Sequence, residues 1–359
     1  MLISLPAMVI RGGTSKGVYL LRDDVEQYEN SMDILLTSVM GADPRQINGI
    51  GGATTTTSKV AIVGPSAEKD IDVDYRFAQV DPPTGTVDWS PTCGNLLAGV
   101  GPFAIERGLV AAEHVTTTVR VRLSNTGARV VLTVCTSQGN VEYQGRHAIP
   151  GVAGSAAPVQ MAFTDFAGGA TGRLLPTGNP MDVVDGCDVT CIDAGVCAVL
   201  VRARDFGLTG AESPAVINDS IGVLDRVEAV RRKAGELMGM GDVSGTVLPK
   251  VMLLSESDSA NIRSRYLVPA SCHPAHALSG AINLASAALI SETIAHGLTS
   301  KPVGSPCVTI EHPAGVIEVN VTMDGAIPVE ARLTSTARKL FDGTVFCEIV
   351  GGRDELVAS

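Results

Sequence analysis

The chain is poor in aromatic side chains, with one Trp, five Tyr and seven Phe, or 4% of its 359 residues. Its core must therefore be built from aliphatic and small residues, which fits a hydrophobic content of 45%. Basic charge is also short: 27 Lys and Arg against 38 Asp and Glu leave a net charge of −11. An acidic surface attracts neither nucleic acid nor an anionic membrane, so neither is expected as a partner. An anionic substrate stays open, because a few cations inside a cleft make a positive pocket on an acidic protein. No stretch reaches the ~18 uninterrupted apolar residues of a membrane span. The apolar first ten residues run straight into RGGTSKG without the h-region or cleavage site of a signal peptide, and are read as a first strand. Disorder is not expected either, since only 18% of residues are charged yet no low-complexity run occurs.

The eight Cys include no C-x₂-C pair, the spacing of a structural zinc site. Cys187, Cys191 and Cys197, with Cys272, His273 and His276, are the nearest thing to a ligand set. However, DVTCIDAGVCAVLV alternates like a half-buried strand, in which Cys behaves as a small apolar residue. No metal is expected, and eight Cys outside the short secreted context of a disulfide framework predict a reducing cytoplasm.

What is present is a repeat. RGGTSKGVYLL (11–21), GIGGATTTTSKVAIV (49–63), TCGNLLAGVGPFAIERGLV (92–110) and SNTGARVVLTV (124–134) form one set. DAGVCAVLV (193–201), GMGDVSGTVLPKVMLL (239–254), LSGAINLASAALISETIAHGL (278–298) and EHPAGVIEVNVTM (311–323) form the second. The match sets Lys59 on Lys250, Cys93 on Ser279 and Gly94 on Gly280. The distance of 33 residues from Gly94 to Gly127 becomes 35 from Gly280 to Gly315. Two like domains are predicted, 1–182 and 183–359, joined at PTGNPMDVVDG (176–186) and facing each other across a cleft. Strand-like alternation runs from LPAMVIRGG to VIEVNVT, and helical periodicity appears at 30–40, 94–108, 221–239 and 278–296. The class is therefore α+β, with each half a curved, mainly antiparallel sheet around one very apolar helix.

Candidate chemistry gathers at the starts of those two helices. Cys93, before Gly94 and Asn95, would meet the positive end of a helix dipole, which favours thiolate and also a substrate carboxylate. Lys59 ends a Gly- and hydroxyl-rich loop that includes Thr57 and Ser58. Desolvated there, it could serve as a general base near neutral pH; the alternative is a surface Lys capping a strand. Arg11, Thr14 and Ser15 of RGGTSKG, and Asn179 of PTGN, offer further anion donors. ANIRSRYLVPASCHPAHALSG (260–280) is read as a loop presenting Arg263, Arg265, His273, His276, Ser279 and Gly280, with Arg263 suited to bidentate carboxylate recognition. No P-loop exists, because neither Gly-rich loop leads into a helix.

Taken in order, RGGTSKG, GIGG…TSKVAI, CGNLLAGVGPFAIERGLVAA, the NTG turn, LLPTGN, CIDAG, GDVS…PK and NIR…CH…GA resemble the PrpF family, relatives of diaminopimelate epimerase, over essentially the whole chain. The resemblance implies two pseudo-symmetric epimerase-like domains, each a β-barrel-like sheet around a central helix, and no cofactor. It also implies an allylic proton shift in an unsaturated di- or tricarboxylate, 4-oxalomesaconate above all, with Lys59 the principal acid/base and Cys93 the facing thiol. Methylaconitate cis-trans isomerisation and methylitaconate or aconitate Δ-isomerisation remain alternatives, as does a non-catalytic polycarboxylate-binding protein. A homodimer is left open. A two-base amino-acid epimerase is disfavoured, because the position matching Cys93 is Ser279, whose hydroxyl is too weak an acid and base.

Overall fold

The first half of the chain sets out a sheet interrupted by one long helix. The computed structural model of the protein describes residues 2–82, 84–268, 271–299 and 306–348. In chain order the first half runs β1 (Leu2–Gly12), β2 (Ser15–Leu21), α1 (Arg22–Val25), α2 (Met32–Met40), β3 (Lys59–Pro65), β4 (Val73–Val80), β5 (Val87–Asp88) and α3 (Gly94–Glu106). It closes with β6 (Thr116–Leu123), β7 (Arg129–Ser137), β8 (Asn140–Val141) and β9 (Pro158–Thr164). The second half runs β10 (Asp182–Val184), β11 (Cys187–Asp193), β12 (Cys197–Arg202), α4 (Pro214–Asp219), α5 (Ile221–Leu237), β13 (Lys250–Ser255) and β14 (Ile262–Leu267). It ends with α6 (Leu278–Leu289), α7 (Ile294–Leu298), β15 (Cys307–His312), β16 (Gly315–Asp324) and β17 (Ile327–Glu348).

The two halves repeat one pairing scheme. β2 runs parallel to β3 with Gly17 opposite Lys59, and β12 runs parallel to β13 with Ala198 opposite Lys250. β3–β4 and β13–β14 are antiparallel, and β4–β6 and β14–β15 are parallel. β6–β7 and β15–β16 are then antiparallel, as are β7–β9 and β16–β17. This mixed, mainly antiparallel scheme is the α+β class that the sequence implied. Both apolar helices are enclosed: Gly94 to Ile105 of α3 and Leu278 to Ala288 of α6 are all buried. With no polar face to show water, each contributes burial on all sides, about 1.5–3 kcal/mol for each large aliphatic or aromatic side chain.

Three readings of the sequence need correction. The segment 260–280 is not one loop, because 262–267 is strand β14; Pro269 and Ala270 lie outside the described residues. The helix expected over 278–296 breaks after Leu289. Thr293 Oγ1 there donates to the carbonyls of Ala287 and Ile290 and accepts from the His296 N–H, which ends one helix and starts the next. Finally, β17 is a long strand that the alternation did not reveal. Its Ala331–Thr336 pair with β9, and its Ala337–Glu348 pair with β1, so the end of the chain is knitted into the first half.

Candidate active site

The starts of α3 and α6 meet. A Cβ placed on Gly94 would lie 3.0 Å from Leu278 Cβ and 3.3 Å from the Ser279 backbone nitrogen, so glycine permits the approach of the two helix ends. The close packing continues behind each helix start. A Cβ on Gly12 would fall 2.4 Å from the Asn95 carbonyl oxygen, and one on Gly280 2.4 Å from the Tyr266 ring. Gly13, at φ +52°, turns the chain in the left-handed region against the Asn95 side chain. Asn95 in turn bonds Thr14 through Nδ2 to Oγ1 at 3.2 Å.

Between the helix ends lies a small cavity of about 80 Å³ into which Lys59, Cys93, Lys250, His273 and Ser279 all face. Lys59 begins β3, and its Nζ donates to Gln79 Oε1 at 2.6 Å on β4 and lies 5.0 Å from the Phe77 ring centroid. Burial lowers its pKa from the ordinary lysine value, against a smaller upward pull from Cys93. Cys93 is the N-cap of α3, its Sγ accepting from the Leu96 N–H at 3.5 Å. Its carbonyl accepts from the Tyr75 hydroxyl at 3.2 Å, which ties the cap to β4.

From the other wall, Lys250 begins β13 and is only 8% exposed. Burial, and next the charge of Lys59, push its pKa down to about 7. His273 Nδ1 accepts from the Ala275 N–H at 2.9 Å. Burial, reinforced by Lys59, lowers its pKa to about 4, so the ring is neutral at pH 7 and carries its proton on Nε2. Two buried hydroxyls on the cavity wall, Ser15 Oγ and Thr92 Oγ1, have no hydrogen-bond partner among the described residues. Buried hydroxyls without partners, beside a buried lysine side chain without one, are groups that a bound anion would satisfy.

The residues singled out in the sequence divide accordingly. Lys59, Cys93, Ser15, Gly94, Asn95, His273 and Ser279 line this cavity. Thr14 faces a larger neighbouring cavity of about 740 Å³, which shares Asn95 and also takes His276 and His312. The larger space is lined by neither lysine nor the thiol, all of which face the smaller one. His276 is tied to Ser264 Oγ through Nε2 at 3.0 Å, and burial lowers its pKa to about 3. Gly280 serves packing against Tyr266.

Six further candidates do not line the small cavity. Arg11 Nη1 donates to the carbonyls of Gly13 and Thr336 and to Thr336 Oγ1, pinning the RGG turn to β17. Thr57 bonds Thr54, and Ser58 bonds Gln46 Oε1 at 2.7 Å, while Thr55 and Thr56 face the cavity in their place. Asn179 bonds Asp182 Oδ1 within its own turn. Arg263 lies on the outward face of β14 in an ion pair of 2.7 Å with Glu311. Arg265 donates to the Glu212 carbonyl at 2.7 Å.

Sequence reasoning missed Lys250, Gln79, Thr92 and Tyr266 as cavity residues. The signal for Lys250 was present in the repeat, which set it on Lys59. The Cys set considered for a metal is apolar packing: Cys187, Cys191, Cys197 and Cys272 lie in one buried cluster with Val199, Val227 and Leu253. No helix among the described residues is long and apolar enough to cross a membrane.

Known proteins with this sequence pattern are consistent with one another. The chain is 45% identical over 344 residues to 4-oxalomesaconate tautomerase of Pseudomonas putida, covering 95% of each chain. It is 45% identical over 347 residues to (4E)-oxalomesaconate Delta-isomerase of a Novosphingobium species, covering 96% of this chain and 97% of that one. The crystal structure of methylitaconate-delta-isomerase superposes with a TM-score of 0.81 at 34% identity, covering 98% of both chains. A probable proline racemase from Agrobacterium radiobacter, at 14% identity and a TM-score of 0.57, shares the fold alone. The description "PrpF protein" matches residues 2–348. With that match and relatives of this similarity over nearly its full length, the chain belongs to the PrpF family and is an isomerase.

Proposed function

We propose that this isomerase moves a proton across the allyl unit of an unsaturated di- or tricarboxylate without a cofactor, and that 4-oxalomesaconate is its substrate. The observation that carries the reading is an enclosed lysine of lowered pKa, Lys59, set beside a single thiol where two helix N-termini converge. The names of the relatives point to the same class of acid. The two repeats supply the two walls of the site, and β17 links them. A cytoplasmic setting, with neither nucleic acid nor membrane as partner, goes with this reading.

In the reaction, neutral Lys59 Nζ takes a proton from the carbon γ to a conjugated carboxylate. The C–H electron pair becomes a new double bond, and the old double bond's electrons spread into that carboxylate as a dienolate. The Lys59 ammonium then returns the proton at the α carbon, and the bond shift is complete. The N–H groups at the starts of α3 and α6 stabilise the dienolate charge, as a preorganised oxyanion site does. Neutral His273 offers an Nε2–H donor to the same charge. Cys93 orients the substrate or assists the transfer.

The test is an ultraviolet absorbance screen of 4-oxalomesaconate, methylaconitate, methylitaconate and aconitate, followed by the same reactions in D₂O. Conversion of 4-oxalomesaconate with deuterium at the α or γ carbon is expected. Binding without conversion or exchange of any of the four would leave a polycarboxylate-binding protein instead.

A further inference from the structure

Among the described residues, the buried lysine of the cavity left without a partner is on the wall opposite Lys59. Lys59 Nζ is held by Gln79, whereas Lys250 makes no hydrogen bond or ion pair among the described residues, although it is 8% exposed and faces the same cavity. An ammonium in that position is costly unless an anion joins it. Ser15 Oγ and Thr92 Oγ1, the two buried hydroxyls without partners, open onto the same space. Arg263, the carboxylate clamp that the sequence suggested, is already engaged by Glu311.

We propose that Lys250, with the hydroxyls of Ser15 and Thr92, forms the subsite that grips a carboxylate of the substrate from the wall opposite the base. This rests on the polycarboxylate substrate class proposed above. The groups that act on Lys250 electrostatically are Lys59 from β3, Asp88 from β5, Cys93 at the start of α3, Arg231 from α5 and His273 from the loop before α6. In the free enzyme burial and Lys59 keep Lys250 substantially neutral at slightly alkaline pH, its pKa being about 7. A carboxylate placed against it favours the ammonium, so binding draws in a proton. The bound pair then leaves Lys59 beside a neutralised neighbour and not beside a bare cation. This allows one lysine to hold charge while the other acts as base.

The experiment is isothermal calorimetry at pH 8 with propane-1,2,3-tricarboxylate, a saturated triacid that cannot undergo the allylic shift. It is run in two buffers of different ionisation enthalpy so that proton uptake is read directly. Wild type is expected to bind with uptake approaching one proton, as linkage requires when a neutral amine becomes a paired ammonium. Lys250→Met should bind roughly 10- to 150-fold more weakly, the loss of one charge-assisted hydrogen bond, and take up no proton. Lys250→Arg, which stays charged at every working pH, should keep measurable binding but lose the uptake. If Lys250→Met fails to fold, the Arg variant decides alone. Wild-type binding without uptake, no wild-type binding, or uptake that persists in Lys250→Arg overturns the subsite, the last by assigning the proton to another group. Because the ligand is inert, binding with Lys250-dependent uptake in a protein that isomerises none of the four acids would uphold the subsite and sink the proposed reaction, and the reverse outcome would do the opposite.

Discussion

Lys59 and Cys93 differ in what holds them, and the roles proposed for them rest on that difference. Gln79 accepts from Lys59 Nζ, and its own Nε2 is tied to the carbonyls of Ser58 and Val80, so the amide cannot turn to present a donor without losing both bonds. Lys59 is thereby aimed, while Cys93 is occupied in capping α3. Lys59→Ala is expected to lower kcat by roughly the 10²–10⁴ of a lost general base, and Cys93→Ser by less. An active Lys59→Ala beside a dead Cys93→Ser, read from the absorbance assay, would make the thiol the base. The sign of the pH dependence follows from burial, which disfavours the ammonium. The neutral base therefore becomes available below the ordinary lysine value, and kcat/KM should rise with pH through a limb below 10.5 that Lys59→Ala lacks. Arg263 makes the contrasting case. Burial acts against the Glu311 carboxylate, yet Arg263, Ser257 and Ser259 together hold its pKa down to about 2, so this ion pair belongs to β14 and β15 and not to the cleft. Arg263→Ala should leave KM within about twofold and cost on the order of 1 kcal/mol in urea unfolding, as for a partly exposed pair. A KM raised tenfold with unchanged stability would return Arg263 to the site.

At the level of elements, alternation exposed most strands because one face was apolar and the other polar, as in TTTVRVRL of β6. The two buried helices declared themselves by their lack of charge, and the repeat brought Lys59, Cys93 and Ser279 to one place before any distance was known. β14 escaped because its buried face carries Ser264 and Tyr266 while Arg263 and Arg265 interrupt the other, leaving IRSRYL without hydrophobic contrast. β17 escaped for a similar reason, since STARKLFDG changes face as it passes from β9 to β1. Arg231 was hidden most completely. On an amphipathic helix an Arg reads as solvated, yet this one is 1% exposed. Its Nη1 donates to the Leu248 carbonyl, its Nη2 to the Val243 carbonyl, and Glu228 grips it bidentately from one turn earlier. It thus braces the 243–248 segment that delivers Lys250 to the cavity. Arg231→Ala would take the guanidinium from both carbonyls, leaving them to Thr246 alone, and is expected to cost about 2 kcal/mol in urea unfolding. Arg231→Lys should not restore it, because an ammonium cannot reproduce the planar fork. A loss under 1 kcal/mol would show that the segment holds itself.

For the molecule as a whole, the two repeats are equivalent in pairing but not independent in space. The main apolar cluster runs without a break from Tyr19, Leu96 and Phe103 of the first repeat to Ile192, Ile282 and Val308 of the second. β17 completes both: its early residues pair with β16 and its late residues with the full length of β1. The site depends on that closure, since Arg11 of β1 fixes the RGG turn through Thr336 of β17, and the turn in turn supports the start of α3. A fragment of residues 1–182 would therefore expose the unpaired edge of β1, together with Val159, Met161 and Phe163 of β9, whose strand β17 also covers. Expressed alone, it should collect in the insoluble fraction or unfold without a cooperative transition, despite containing Lys59 and Cys93. Co-expressed with residues 183–359, it should become soluble, copurify with its partner and regain isomerase activity, because only then does β17 restore the β1 and β9 ladders. A fragment of residues 1–182 that melts cooperatively on its own would show that the first repeat is self-sufficient and that β17 is an accessory strand.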